Sequence, residues 1–352
     1  MRHFMPIAFA GLLASGVPAF GETIRLTVVG AAPPHVTYVK AAKEKWIPEI
    51  NKRLAASGKD FKIEWTEAYA QSLAKFTEVF EAVEEGIAHV GLILKNFEAS
   101  KLPLEQVPSV APFGKFSMAQ MVEVDRAMRK KVPALNKAYE KYNQIFLASG
   151  VSLSQQFFTT FPVKTVDDLK GRKIGASGAF GQWFQGTGAV VVPSSMANSH
   201  TDIRNGVYEG YPMNEILSFA YKTYQVAPYL TRVEFGPSNV SGITVNRDTW
   251  EKLPDFVKKI FIETAEQYPF WILENEQATL KKFMGIMQKS GLKVFDMPDA
   301  ERKRWAAMMP NIGQEWAERQ EKRGLPGRAV LNAFMGELRA RKIDIAREWD
   351  KQ

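Results

Sequence analysis

The segment 166-VDDLKGRKIGASGAFGQWFQGTGAVVVPSSMANSHTDIRNGVYEGYPMNEILSFAYKTYQVAPYLT-231 reads as three strand-helix alternations. Asp167-Asp168-Leu169 forms a short acidic turn that Gly171 closes, and Arg172–Ala176 reads as a strand. Ser177-Gly178 opens a helix that Gly186 and Gly188 end. Ala189–Val192, bounded by Pro193, is a continuous apolar run of the kind buried on both faces of a sheet. Ser194–Asn205 reads as the next helix and Val207–Tyr211 as the third strand. A helix over Asn214–Tyr224 follows, with Asn214 as its cap. The order predicts a small parallel βα sheet. In such sheets ligands sit at the C-terminal ends of the strands. The loops there carry Ser177, Gly178, Ser194, Ser195, Tyr211 and Asn214, with Phe180, Trp183 and Phe184 just behind. Hydroxyls beside aromatic rings suit a polar small-molecule pocket. The same residue types also cap helices and fill cores.

Outward from this segment, 352 residues suffice for two lobes with separate cores, and the 45% hydrophobic and 24% charged content is that of a soluble protein. Met1-Arg2-His3, the apolar run Phe4–Val17 and the small residues Ala19 and Gly21 make the three parts of a cleavable signal peptide over 1–21. No cysteine is present, which excludes disulfides, thiol catalysis, cysteine metal sites and a lipoprotein anchor. The formal charge of +8 is spread over helical stretches that mix Lys and Arg with Glu, such as Arg319–Arg323, so solvated helix faces explain it and nucleic acid is not an expected partner.

Several motifs occur in a particular order: Glu81–Gly86, Asp168-Leu169-Lys170-Gly171-Arg172-Lys173-Ile174, Gly206 with Glu209-Gly210, Tyr224 with Tyr229-Leu230-Thr231, and Val245-Asn246-Arg247 with Trp250 and Leu253-Pro254. Together they resemble the DctP-type solute receptors of tripartite ATP-independent periplasmic (TRAP) transporters. The resemblance implies an α/β, two-lobed periplasmic-binding-protein-like fold with a βα sheet in each lobe. It further implies crossing strands as a hinge, one long helix spanning both lobes, and delivery of a small-molecule ligand to TRAP membrane permease subunits. Lobe I is expected over 22–150 and about 240–280, and lobe II over 151–239 and about 281–352. The expected location is the periplasm. A ligand-presenting receptor for a membrane sensor and a secreted enzyme are the alternative functions.

Along the chain, Glu22–Gly30, Phe61–Trp65 and Val90–Leu94 read as first-lobe strands. Thr37–Ala56 reads as a helix in which Pro48 demands a kink or a new first turn. Gln144–Ser149 and Val233–Asn246 are the expected crossings, and Pro254–Ser290 reads as one helix bent by Pro269. His89 is expected to be a lone surface histidine. No pair of histidines has zinc-site spacing, and no GxSxG elbow or GxGxxG fingerprint occurs. Neither catalytic residues nor metal nor cofactor are expected.

Better-known members of the family clamp a ligand carboxylate with an arginine on the strand after the DLKG turn. The matching position here is Gly175, and Gln155 and Gln156 stand where another arginine often lies. Lys95 is the nearest substitute cation. The expected ligand-binding set is Trp183, Tyr211, Asn214, Tyr69, Gln71, Lys95, Gln155, Phe158, Ser177, Phe180 and Asn239. Without the arginine, a neutral or zwitterionic ligand is favoured over a simple carboxylate, because an unpartnered buried anion is costly.

Overall fold

Three parallel strands, Glu22–Val29, Phe61–Ala68 and Val90–Leu94, start the first sheet. The computed structural model describes residues 22–351, so the expected signal peptide lies outside the described residues. Val90–Leu94 is buried along almost its whole length, as a near-continuous Val/Leu/Ile run at the centre of a sheet should be. The edge strand Phe61–Ala68 begins with alternation, Phe61 and Ile63 facing inward. Two long strands, Ser238–Asn246 and Gln144–Ser152, complete the sheet as antiparallel neighbours. The helix after the first strand runs from Thr37 to Ala56 with a π turn over Ala42–Trp46. That wide turn falls where the Pro48 ring would otherwise strike the carbonyl four residues back.

The second sheet has the order Lys293–Asp296, Tyr229–Arg232, Gln156–Thr159, Gly210–Met213. A parallel pair, Lys173–Ala176 with Val190–Pro193, lies beside it, joined where the Glu209 N–H donates to the Lys173 carbonyl at 2.7 Å. The expected all-parallel arrangement is therefore corrected. Gln156–Thr159, arriving from the other lobe, pairs antiparallel with Gly210–Met213. Val190–Pro193 is likewise not buried on both faces. It is the outer member of its pair, and Val190 is exposed. The segment before it, Gly178–Phe184, winds as a 3-10 helix rather than an α-helix, consistent with two glycines in seven residues.

Two extended segments cross between the sheets, and these crossings bond to each other. The Phe235 N–H donates to the Gln155 carbonyl at 3.2 Å, and the Gln155 N–H donates to the Gly236 carbonyl at 3.3 Å. Gly150 allows a third element to approach. A Cβ there would sit 2.0 Å from Ser241 Oγ on the neighbouring strand and 2.7 Å from Ile272 Cδ1 on the helix above.

That helix is Tyr268–Lys289, about 33 Å long at 1.5 Å per residue. The expected single helix from Pro254 is two, because the first, Asp255–Ala265, stops at the residue four before Pro269, whose carbonyl the proline ring would strike. The spanning helix touches both lobes. Tyr268 donates its hydroxyl to the Tyr38 carbonyl at 3.0 Å, while Phe283 stacks on Phe219 at 3.8 Å.

The C-terminal helices Asp299–Met308, Ile312–Lys322 and Gly327–Ala340 also reach both lobes. Glu301 accepts from the Val166 N–H at 2.9 Å, whereas Asp344-Ile345 pairs with Gly114-Lys115. Between the lobes lies an aromatic junction in which Trp183 stacks on Phe180 and Phe235 at 4.2 and 4.5 Å. Two indoles are pinned there: Trp183 Nε1 donates to the Ser109 carbonyl at 2.8 Å, and Trp305 Nε1 to the Trp183 carbonyl at 2.7 Å.

Candidate ligand cleft between the lobes

The first-lobe strands end in loops at the side facing the second lobe. Two of these loops are stitched together by the Ala70 N–H donating to the Ala32 carbonyl at 3.1 Å. Tyr69 sits on this floor under the Lys43 ammonium, 5.8 Å from its ring centre. Tyr38, the second residue of the first helix, lies against the start of the spanning helix. The hydroxyls of Tyr38 and Tyr69 are buried, the first near the Ala32 backbone and the second near the Glu67 carboxylate, and burial pushes both phenols upward.

Glu276 lies across this floor from the spanning helix. One carboxylate oxygen accepts from the Thr37 hydroxyl at 3.0 Å and the other from the Leu153 N–H at 3.3 Å. It thus ties together the first helix of lobe I, the crossing segment and the spanning helix. Burial pushes its carboxyl up to about 7; the two donors oppose the rise and the charge of Glu215 adds to it. Glu215 is the first residue of the second-lobe helix Glu215–Ala220 and is also buried. Burial pushes it up to about 7 as well, with Arg232 at 3.9 Å opposing and Glu234 adding. Ser218, one turn further along the same helix, keeps a buried hydroxyl without a partner among the described residues.

At the crossing, Gln155 folds its amide back so that Nε2 meets the Leu153 carbonyl at 3.4 Å. Its Oε1 is buried without a partner among the described residues. A buried polar atom without a partner costs on the order of 1–3 kcal/mol, so such atoms mark a place where something else is expected. Acidic groups and unmatched polar atoms from both lobes therefore gather where the crossings and the spanning helix meet.

The profile of the DctP family, bacterial extracellular solute-binding protein family 7, matches residues 29–320. The chain belongs to this family. Solved structures share its fold. A TRAP periplasmic solute-binding protein from Desulfovibrio salexigens superposes with a TM-score of 0.76 at 21% identity, covering 90% of this chain and 96% of that one. A solute receptor of Bordetella pertussis described as binding pyroglutamic acid gives 0.70 at 17%, covering 88% and 99%. One from Rhodoferax ferrireducens, in complex with copurified benzoate, gives 0.74 at 14%, covering 91% and 98%. This DctP-family protein is thus a two-lobed TRAP-type solute receptor and not an enzyme. Among the described residues no helix is long and apolar enough to cross a membrane, and no group of three or more His, Cys, Asp or Glu could hold a metal ion.

Within this receptor the residues expected at the ligand fall into distinct places. Tyr69 and Gln155 lie at the cleft as described. Gln71, in the left-handed region at φ 61°, is exposed on the loop after Tyr69. Phe158 and Tyr211 are cross-strand partners inside the second-lobe core, and the Tyr211 hydroxyl donates to the Ser194 carbonyl at 3.0 Å. Asn214 is buried as the cap of the next helix, accepting from the Leu217 N–H at 2.9 Å. Ser177 is half-buried just ahead of the 3-10 helix that carries Phe180 and Trp183. Phe180 and Trp183 belong to the interlobe junction. Asn239 lies on the strand Ser238–Asn246, and its side chain falls outside the described residues.

Lys95 is not a loose cation. It is buried, donating to Glu105 at 3.1 Å and to Ser149 Oγ at 2.7 Å. Arg129 joins the same cluster, meeting Glu105 at 2.7 Å and Asp125 at 3.0 Å, and the Tyr139 hydroxyl donates to Glu105 at 3.0 Å. Burial pushes the Asp125 carboxyl upward, but Arg129 and Lys95 outweigh it and hold it at about 2. His89 is also corrected. It is half-buried and its Nδ1 accepts the Thr27 N–H at 2.8 Å, so it has a partner, and burial pushes its pKa down. At Gly175 a Cβ would come within 2.5 Å of the Tyr208 ring, which leaves no room for an arginine stem.

Sequence reasoning passed over Glu276, Glu215, Tyr38 and Ser218. Glu276 did leave a signal: it falls four residues after the buried Ile272, so an acid interrupts the inward stripe of its helix. Glu215 left none, since an acid at the first position of a helix is the ordinary complement of the helix dipole.

Proposed function

We propose that this receptor works in the periplasm, closes its lobes around one small organic molecule other than a simple carboxylate, and delivers it to the permease of a TRAP transporter. Lobe I takes 22–150 and about 240–280, and lobe II takes 151–239 and about 281–352, the last residues of which return to pair with Gly114-Lys115 of lobe I, with the crossings at Gln155 and Phe235 as the hinge between them. Closure is a shift of population, driven by a ligand that contacts both lobes at once. The observation that carries the ligand reading is the Tyr208 ring over Gly175, which removes the cation that a carboxylate would need at that strand. Lys95 supports the same reading, since its charge is already matched by Glu105. The relatives named with pyroglutamic acid and benzoate are thus neighbours in fold whose ligands differ in charge from the one proposed here.

Native mass spectrometry of the purified protein tests the receptor reading directly. A co-purified small molecule, together with a smaller radius of gyration when it is bound, is the expected result. A thermal-shift screen should show little response to galacturonate, pyroglutamate and benzoate. A strong response to any of the three would refute the reading of the ligand.

A further inference from the structure

Where the crossings meet the spanning helix, acceptors are left incompletely matched. Glu276 receives one hydrogen bond on each oxygen, whereas a carboxylate can accept about four, so lone pairs remain on both. Gln155 Oε1 is an acceptor without a partner among the described residues, and the Gln155 amide donates to the carbonyl of Leu153, the residue whose N–H Glu276 accepts. Gln155 is more than nine-tenths buried, as is Ser218, whose hydroxyl is also unmatched among the described residues. Glu215 brings a second buried carboxylate from the second lobe, on the helix whose Phe219 stacks on Phe283 of the spanning helix at 3.8 Å.

The cations nearest the gap are engaged elsewhere. Lys95 and Arg129 neutralise Glu105 and Asp125. Lys43 lies 3.4 Å from Glu67. Arg232 stands 3.9 Å from Glu215, beyond hydrogen-bond distance, and is shared with Asp296 at 3.7 Å. Among the described residues Glu276 has no ion pair, and Glu215 has only the loosely placed Arg232.

We propose that the ligand enters through a protonated nitrogen, seated between Glu276 of the spanning helix and Glu215 of the second lobe, with Gln155 Oε1 accepting another of its hydrogens. The assignment rests on the receptor reading and narrows it to organic amines and amine-bearing zwitterions. The rings of Tyr38 and Tyr69 supply faces that suit an alkylammonium. With Glu215 and Glu276 each on a different element, the ammonium bridges the lobes, and binding is coupled to closure. A metal ion fits poorly, because no third carboxylate or imidazole joins the pair among the described residues.

The test is calorimetry at pH 8 with charge-swapped pairs of similar shape: benzylamine against benzoate, and prolinamide against pyroglutamate. Wild type, Glu276→Gln and Glu215→Gln are compared, with calcium chloride as a control and melting temperature as a check on folding. The expected result is that the amine of each pair binds at least tenfold tighter than its acid, and that Glu276→Gln removes at least tenfold of that affinity in a folded protein. Glu215→Gln should remove less, because Arg232 already offsets part of its charge. Tighter binding of benzoate or pyroglutamate overturns the assignment and leaves the receptor reading standing. Calcium binding that Glu276→Gln abolishes also overturns it. If no panel member binds, the co-purified ligand decides: a basic nitrogen supports the proposal, a ligand without one overturns it. With no ligand found at all, the receptor reading falls too.

Discussion

Trp183 of the second lobe donates its indole N–H to the backbone carbonyl of Ser109 in the first, at 2.8 Å. The bond crosses the interlobe junction, and the ring that makes it is stacked on both faces, by Phe180 and by Phe235. Removing only the donor separates its two roles. In Trp183→Phe the stack persists and the Ser109 carbonyl loses its partner, at a cost of about 1 kcal/mol. The expected outcome is a folded protein whose ligand-free form scatters as a more open particle. Trp183→Ala removes the stack as well and should cost about 3–5 kcal/mol, read by urea unfolding. A near-neutral Trp183→Ala would mean that the ring is not a core element.

The buried cluster around Glu105 makes a sharper stability prediction. Lys95→Met leaves Glu105 and Asp125 with one buried cation fewer, and breaking a buried pair from one side costs about 3–5 kcal/mol. The loss should appear in urea midpoints.

The same cluster sets behaviour in acid. Asp125 is held at about 2 in the folded protein, below its unfolded value, so its contribution is present above about pH 4 and lost as pH falls through 2. Fluorescence-monitored acid unfolding should therefore steepen in that window, and Asp125→Asn should flatten it.

Glu276 and Glu215 act in the opposite sense. Their folded values, about 7, lie above the unfolded ones, so the folded protein binds more protons between about pH 4.5 and 7 and its stability falls as pH rises through that window. The groups bearing on the pair are each other, Arg232 and Glu234. The ligand-free receptor should melt higher at pH 5 than at pH 7.5. Glu276→Gln should reduce that difference, and an unchanged slope would show the acid to be solvated.

Gly150 is required by packing rather than by its backbone angle. Gly150→Ala drives a methyl into Ser241 Oγ and Ile272 and should cost about 1–3 kcal/mol. Ser241→Ala removes the nearest atom, so the double variant should recover part of the loss in a thermal melt.

Much of the architecture was legible because periodicity reports burial. Val90–Leu94 was bounded correctly by its apolar run, and Pro269 marked the break before the spanning helix. Pairing was less legible. Nothing local in Gly210–Met213 reveals that its partner, Gln156–Thr159, enters from the other lobe. The candidate site was harder to read. Aromatics expected at the ligand, such as Phe158, pack inward, and hydrophobicity alone does not distinguish the lining of a gap from the filling of a core. Lys95 misled for a related reason: its partners stand 10 and 54 residues away, at Glu105 and Ser149, and only folding brings them together.

The ring of Tyr208 over Gly175 bears on how this receptor could change its diet. An arginine placed at 175 alone would collide with the phenol, and shrinking Tyr208 alone would open a void in the second lobe with no charge to fill it. A lineage moving between acidic nutrients and others must therefore cross two positions together, and single-step variants along either route should be selected against.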